Sequence, residues 1–323
     1  MKKIIVTGGA GYIGSHVCKL LKSSGYDPIT IDNLSNGNIS AVKWGKFYEC
    51  DILDTDKLSI IIKEVAPFAI MHFAALAYIE DSILKPEIYY KNNVYGTWSL
   101  LQSMINNNID KIIFSSTCAI YGSPLYIPID EKHTKNPINP YGKTKYVVEQ
   151  MLDDYFTARG INSVSLRYFN ACGADLDNEI GETHSPEPHL IPNIIKAAYN
   201  NSVIGINGNN YETKDGTCVR DYIHVTDLAN AHIKALKYLK LNDGSFKFNL
   251  GSEKGYSILE IIEYVENIIG KKINKKIMPR RIGDPPNLIA NTALAKAELK
   301  WSPDLSDLHT IIETAASWYK KNN

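Results

Sequence analysis

The chain is predicted to be α/β, a doubly wound parallel sheet with a smaller α/β domain behind it, and three observations carry that prediction. Short apolar runs alternate with amphipathic helical stretches through the first half. A glycine-rich turn separates the first run from the first helix. After Asn170 the alternation gives way to a stretch crowded with Gly, Pro and Asn. Strands separated by helices of this length pair in parallel through right-handed crossovers.

Ile4-Ile5-Val6 forms a short strand, and Ile13, Val17, Leu20 and Leu21 recur at helical spacing until Gly25 closes the turn. Residues 28–31 make a second strand ending at Asp32, and 47–50 a third ending at Asp51. Leu58, Ile61, Ile62 and Val65 mark a helix. Residues 69–73 form a buried strand that runs into Ala74 and Ala75. Val94, Thr97, Trp98 and Leu101 stripe a helix over about 92–107, residues 112–114 form a strand, and a helix over 141–159 precedes the strand 164–166. This half, 1–170, reads as a Rossmann-type unit. Residues 171–323 hold helices near 191–199, 228–239 and 258–269, and parts of them are expected to pack back on the first unit. The end, 320–323, is expected to fray.

At 323 residues, with 44% hydrophobic and 22% charged, the chain is an ordinary globular one with room for two domains. Thirty-five basic and 35 acidic residues leave no net charge, which argues against a nucleic-acid partner. No run approaches the ~20 apolar residues of a membrane span. Five cysteines without a Cys-x-x-Cys point to no zinc cage and to a reducing compartment, hence a cytoplasmic location. No metal site is read from the sequence.

Thr7-Gly8-Gly9-Ala10-Gly11-Tyr12-Ile13-Gly14 lies between the first strand and helix, where free N–H groups and the helix dipole meet a pyrophosphate. Gly8 and Gly11 serve the tight turn and the close approach of phosphate, and Gly14 the packing of helix on sheet. Asp32, ending the second strand, can accept from a ribose diol and would repel a 2′-phosphate, which favours NAD over NADP. Asn139-Pro140 begins a helix on which Tyr141 and Lys145, four apart, share one face. A phenol must drop about three pKa units to act near neutrality, and an ammonium at ~4 Å could supply that. Ser115-Ser116-Thr117 follows a buried strand at the edge where such sheets bind ligands, so a Thr117 hydroxyl can share a proton with Tyr141.

Together these runs, with Asn93, resemble the extended short-chain dehydrogenase/reductase family. His72-Phe73-Ala74-Ala75, Arg167-Tyr168-Phe169-Asn170, the run from Asp215 to Val225 and the run from Pro279 to Asp284 resemble its sugar-nucleotide epimerases over nearly the whole chain. The resemblance implies a tightly held NAD, a UDP-hexose substrate inverted at C4 through a 4-keto sugar, and a homodimer. It implies Tyr141, Lys145 and Thr117 as catalytic residues. It places Tyr12, Ile13, Asn33, Asn36, Asp51, Ile52, Phe73, Ala74, Ala75, Asn93 and Phe169 on the cofactor. Asn170, His189, Leu190, Arg220, Arg281, Asp284 and Leu288 fall on the substrate, with Arg220 and Arg281 as diphosphate donors. His16, His224, His232 and His309 are read as packing or surface residues.

Three departures matter. Thr117 stands where the family commonly has Ser, Ala77 where some members have Lys, and Leu288 where some have a bulky Tyr, leaving room for N-acetylated sugars. Cys118-Ala119 replaces the Asp-Glu pair of 4,6-dehydratases. A UDP-hexuronate epimerase and a non-catalytic NAD sensor are the alternatives.

Overall fold

The computed structural model describes residues 1–281 and 284–322. Along the first half the elements are β1 (Lys3–Thr7), α1 (Tyr12–Ser23), β2 (Asp27–Asp32), β3 (Lys46–Glu49), α2 (Thr55–Val65), β4 (Ala69–His72), α3 (Ile79–Leu84), α4 (Pro86–Tyr89), α5 (Gly96–Asn106), β5 (Lys111–Thr117), α6 (Pro140–Arg159) and β6 (Asn162–Tyr168). Then follow β7 (Asn170–Cys172), α7 (Leu190–Asn200), β8 (Val203–Asn207), β9 (Val219–His224), α8 (Val225–Tyr238), β10 (Ser245–Leu250), β11 (Gly255–Ser257), α9 (Ile258–Ile269), β12 (Asn274–Met278), β13 (Asn287–Leu288), α10 (Ala293–Leu299) and α11 (Leu308–Asn322).

The main sheet has seven strands in the order β10-β6-β5-β4-β1-β2-β3, all parallel. Side chains of successive strand residues point to opposite faces, and the strands split accordingly. Ile4, Val6 and Ile113 pack with Val17 and Leu21 of α1 and Leu228 and Leu236 of α8 on one face. Ile5, Ile112 and Phe114 pack with Leu58 and Ile62 of α2, Leu100 of α5 and Val148 of α6 on the other. This is the doubly wound arrangement expected.

Residues beyond 170 divide. The helices α8 and α10 and the edge strand β10, which pairs with β6 from Ser245↔Ser163 to Leu250↔Tyr168, belong to the first layer. The remainder forms a second body: β9 pairs with β7, β11 and β13, β8 pairs with β12, and α7, α9 and α11 enclose a core of Ile194, Ile261, Ile262, Ile311 and Ile312. The chain thus returns to the first layer after residue 170, and the expectation that later segments pack back named none of them. Sequence periodicity cannot signal it, because β10 is a single strand whose partner is 82 residues away.

Two local expectations change. The stripe near 92–107 is not one α-helix: residues 90–95 form a π-helical segment that turns Asn93 inward, and α5 begins at Gly96. The end does not fray at 320, since α11 continues to Asn322 and Lys321 Nζ donates to Asn178 O at 2.7 Å. Asn323 lies outside the described residues.

Candidate active site

The carboxyl end of β1 sits at the switch point of the sheet, between β2 and β4, which is where such folds open a crevice. Gly8 leaves β1 with φ +72°, and a Cβ there would stand 2.6 Å from Ala74 N. At Gly14 a Cβ would stand 2.2 Å from Gly8 O. The N-cap of α1 is Gly11, which offers no side-chain acceptor, so the first-turn N–H groups are left for an anion. Asp32 is buried at the end of β2. Its Oδ2 accepts from Ala10 N at 3.0 Å and its Oδ1 from Leu34 N at 2.8 Å. Burial raises its pKa and these N–H groups pull it back. Each oxygen keeps a lone pair for a diol. The bare backbone, the uncapped helix and the carboxylate together fit a dinucleotide: phosphates at α1, a ribose at Asp32. We expect Gly14→Ala to cost about 1–3 kcal/mol of stability and to lose the bound dinucleotide. Melting and acid-released NAD check this, and a variant purifying with a full complement of dinucleotide refutes it.

The other cofactor candidates take up distinct places. Asn33 donates to Asp51 Oδ2 at 2.9 Å on the rim beside Asp32, with Asn36 exposed nearby and Ile52 buried beneath. Ile13 packs partly buried on the core. Tyr12 turns its hydroxyl to Gly173 O at 2.5 Å, tying α1 to the second body. After β4, Phe73 packs on His232, and Ala74 and Ala75 are half-buried. Asn93 spends its amide on this loop: Oδ1 accepts from Leu76 N at 2.9 Å and Nδ2 donates to Leu76 O at 3.0 Å. It acts as a positioning residue.

At the carboxyl end of β5 stands Thr117. The helix α6 starts at Asn139, whose Oδ1 accepts from Gly142 N at 2.8 Å, with Pro140 in its first turn. A Cβ on Gly142 would meet Ala119 O at 2.6 Å, so this turn lies directly on the segment after Thr117. Tyr141 is thereby brought close enough to the Thr117 side chain to feel its dipole, while Thr117 Oγ1 accepts from Ala119 N at 3.1 Å. Burial pushes the phenol up to about 12, and Thr117 only partly opposes it.

Lys145 lies beside Tyr141. Its Nζ donates to Ser115 O at 2.7 Å and lies 6.0 Å from the centre of the Tyr141 ring. The side chain is buried, its stem runs beneath α6, and the nearest acceptor is a sheet carbonyl. Burial brings the ammonium down to about 7, against the opposing charge of Glu149. Behind it lies a network that the sequence reading missed. Ser116 Oγ donates to Glu149 Oε1 at 2.5 Å, Arg167 Nη2 to Glu149 Oε2 at 2.6 Å, and Arg167 Nη1 to Tyr121 Oη at 2.9 Å. The spacing of Glu149, four past Lys145 on one helix face, was the available signal.

Leu288 packs with Cys118 and Phe169, next to Thr117, and is in register with Arg220. Asn170 begins β7, exposed, beside them. Each of the two arginines expected on the diphosphate has a carboxylate partner. Arg220 is buried and bonded to Asp284, because a buried guanidinium needs a partner. Arg281 is exposed and reaches across to Glu80 of α3, Nε to Oε1 at 2.9 Å. Ile282 and Gly283 of the same run lie outside the described residues. His189 caps α7 just before Leu190, and its Nδ1 contacts Glu182, with Glu187 Oε1 at 3.3 Å. Burial would lower the pKa of His184 and His189, but the Glu182 and Glu187 carboxylates raise them to about 9 and about 10. Of the four histidines read as packing or surface residues, His16 and His232 bond carbonyls in their own helices, His224 caps α8, and His309 is exposed.

Known proteins share this arrangement. The chain is 46% identical over 321 residues to a UDP-glucose 4-epimerase of Rhizobium meliloti, covering 99% of this chain and 98% of that one. It superposes on the UDP-glucose 4-epimerase of Brucella ovis in complex with NAD with a TM-score of 0.95 and 50% identity, covering 98% of each chain. With the Bifidobacterium longum enzyme in complex with NAD+ and UDP the TM-score is 0.95 and the identity 36%, over 99% of each chain. Residues 4–251, which run from the glycine cradle to the end of β10, match the NAD dependent epimerase/dehydratase family, and the chain is a member of that family.

Proposed function

We infer that this chain interconverts UDP-glucose and UDP-galactose at C4, with NAD as a resident cofactor. The observation that carries the reading is the placing of the Tyr141 phenol beside Thr117 at the sheet's carboxyl edge, across the switch point from the Gly8–Gly14 cradle. NAD, when bound, supplies a two-electron acceptor for hydride from the sugar C4 and returns it in the same turnover. Tyr141 takes the proton of the 4-hydroxyl, so loss of H⁻ from C4 and H⁺ from O4 leaves a 4-keto sugar. The proton and hydride return with the sugar's other face presented. Thr117 holds the phenol and the sugar oxygen in line. Lys145, held on Ser115 O with a pKa of about 7, is partly charged near neutrality and biases the phenol toward its anion. At about 4–6 Å one ammonium is worth about 3–4 kcal/mol at an effective dielectric of 20. That is less than a phenol at about 12 requires, so the reaction depends on a further positive charge in the bound complex. Purified protein is expected to convert UDP-galactose without added NAD and to release about one dinucleotide per chain on acid denaturation. Strict dependence on added NAD rejects the resident role.

In this reading the first layer holds NAD and the second body holds UDP. Arg281 exchanges its exposed Glu80 contact, which is worth at most about 1 kcal/mol, for the diphosphate. Arg220, neutralised by Asp284, fixes the wall carrying Leu288. His189, Leu190 and Asn170 face the nucleotide and sugar. Exposed Ile88, Tyr95 and Trp98 on and before α5 suit a homodimer interface. The five free, buried cysteines suit the cytoplasm. Among the described residues, no helix is long and apolar enough to cross a membrane.

Leu288 supports a wider substrate range. It leaves the wall beside Phe169 shorter than a Tyr would, so UDP-N-acetylgalactosamine is expected to turn over as well. Leu288→Tyr is expected to cut that activity by about tenfold or more, and UDP-galactose turnover by much less. Equal losses on both sugars, or no N-acetyl activity in the parent, exclude the idea.

A further inference from the structure

Glu182, His184, Glu187 and His189 lie between β7 and α7, in a loop that sends four donor atoms to one point. All four atoms lie within 4.8 Å of one another. His184 Nδ1 is 3.1 Å from Glu182 Oε1 and 3.7 Å from Glu187 Oε2. His189 Nδ1 touches Glu182 Oε1 and is 3.3 Å from Glu187 Oε1. Around a tetrahedral ion with bonds of about 2.0–2.1 Å, donor atoms stand roughly 3.3 Å apart, which is the range these separations straddle.

A second observation is independent of the spacing. The Glu182 side chain is only 6% exposed, and its buried Oε1 has no hydrogen-bond partner. Nor has the buried His184 Nδ1 beside it. The His184 Nδ1 at 3.1 Å and the His189 Nδ1 in contact with Glu182 Oε1 do not meet it with the alignment of a hydrogen bond, and all three atoms belong to the four that lie within 4.8 Å of one another. Leaving them unmet would cost about 1–3 kcal/mol each.

We propose that these four residues bind one divalent transition-metal ion of the zinc class. Two imidazole nitrogens and two carboxylate oxygens suit zinc and its first-row neighbours better than magnesium or calcium. Two carboxylates, two neutral imidazoles and one divalent ion sum to zero charge. The protein fills all four positions, so the ion is structural and leaves none open for chemistry. Supports for the ligands are in place. Trp318 Nε1 donates to Glu182 O at 3.0 Å, and the Tyr78 ring meets His184 edge-on at 6.1 Å. Asn193 Nδ2 donates to both Glu187 O and His189 O at 2.9 Å. The ion would pin this loop beside the first turn of α1, where the charges of Glu182 and Glu187 already act on Tyr12, and so set the start of α7.

The test uses the full chain as purified, stripped with EDTA and dialysed, then titrated with Zn²⁺ and separately with Co²⁺. Elemental analysis after gel filtration is expected to find about one Zn²⁺ per chain, and Co²⁺ to give the strong visible absorption of a four-coordinate site. Glu182→Gln and His184→Ala are expected to weaken binding by about 100-fold or more relative to the parent, while His309→Ala changes nothing. Circular dichroism and NAD content show whether each variant has folded. Less than about a fifth of an equivalent on the parent chain, a featureless Co²⁺ spectrum, or undiminished binding in a folded Glu182→Gln/His184→Ala double variant overturns the proposal. Metal content is read without any turnover assay, so the result is separate from the fate of the epimerase reading.

Discussion

Tyr141→Phe is expected to retain its bound NAD and to lose epimerase turnover by about 10²–10⁴-fold, the range that a positioned acid–base group supplies. The substitution removes one oxygen and keeps the buried ring, so the packing of α6 on the segment after Thr117 survives. The structural loss is one polar contact, about 1 kcal/mol or less. The chemical loss is the phenol that stands beside Thr117. Thr117→Val should cost turnover as well, whereas Thr117→Ser keeps the oxygen and should remain active. A coupled assay of UDP-galactose conversion, with dinucleotide measured on the same preparations, decides the matter. If Tyr141→Phe keeps more than about a tenth of parental turnover, Tyr141 is not the proton acceptor.

Acid should unfold this protein steeply, in a window well above the carboxylate range. Burial holds four imidazoles neutral in the fold: His16, His224 and His232 at about 4 and His72 at about 3. Their unfolded value is 6.5, so the unfolded chain binds the protons first. Each contribution is therefore complete above pH 6.5 and is lost as pH falls toward about 4. Each proton is worth about 1.4 kcal/mol per pH unit. Asp221 works the other way, because burial lifts its carboxyl to about 6 and the folded state takes that proton first. The net is roughly three protons, or about 4 kcal/mol lost over the unit below pH 6, a large part of a total near 5–15 kcal/mol. Urea midpoints should change little between pH 7.5 and 6.5, where His184 and His189, raised to about 9 and about 10, hold protons in the fold and offset the loss, and should fall steeply from pH 6.5 to 5.5. His232→Leu, which removes a ring whose Nε2 has no partner, should flatten the slope by about one proton. A midpoint unchanged from pH 7.5 to 5.5 contradicts the account.

Much of the first layer was readable because its signals are local. Ile4, Ile5 and Val6 alternate between faces within one strand, and the pairing of Tyr141 with Lys145 is a matter of helical pitch. The glycine turn was legible for the same reason, since each glycine answers a backbone contact made within a few residues or at the next strand. What local pattern does not carry depends on distance. Which later strand pairs with β6, the burial of Arg220 against Asp284, and the bond of Lys145 to Ser115 O are set by tertiary packing. The Ser116–Glu149–Arg167 network joins three elements and has no motif of its own. The Glu182–His189 loop was read only for its last residue, because its four donors follow no familiar metal spacing.

The return of the chain to the main sheet also bears on how the molecule is made. Until residues 245–250 leave the ribosome, the outer edge of β6 is a row of unmet N–H and C=O groups. The apolar surface awaiting α8 stays open for nearly as long. A nascent chain halted near residue 170 carries every glycine and catalytic side chain of the cofactor layer, yet it presents a sticky strand edge rather than a finished unit. Synthesis must pass the whole first pass of the second body before the first layer can close.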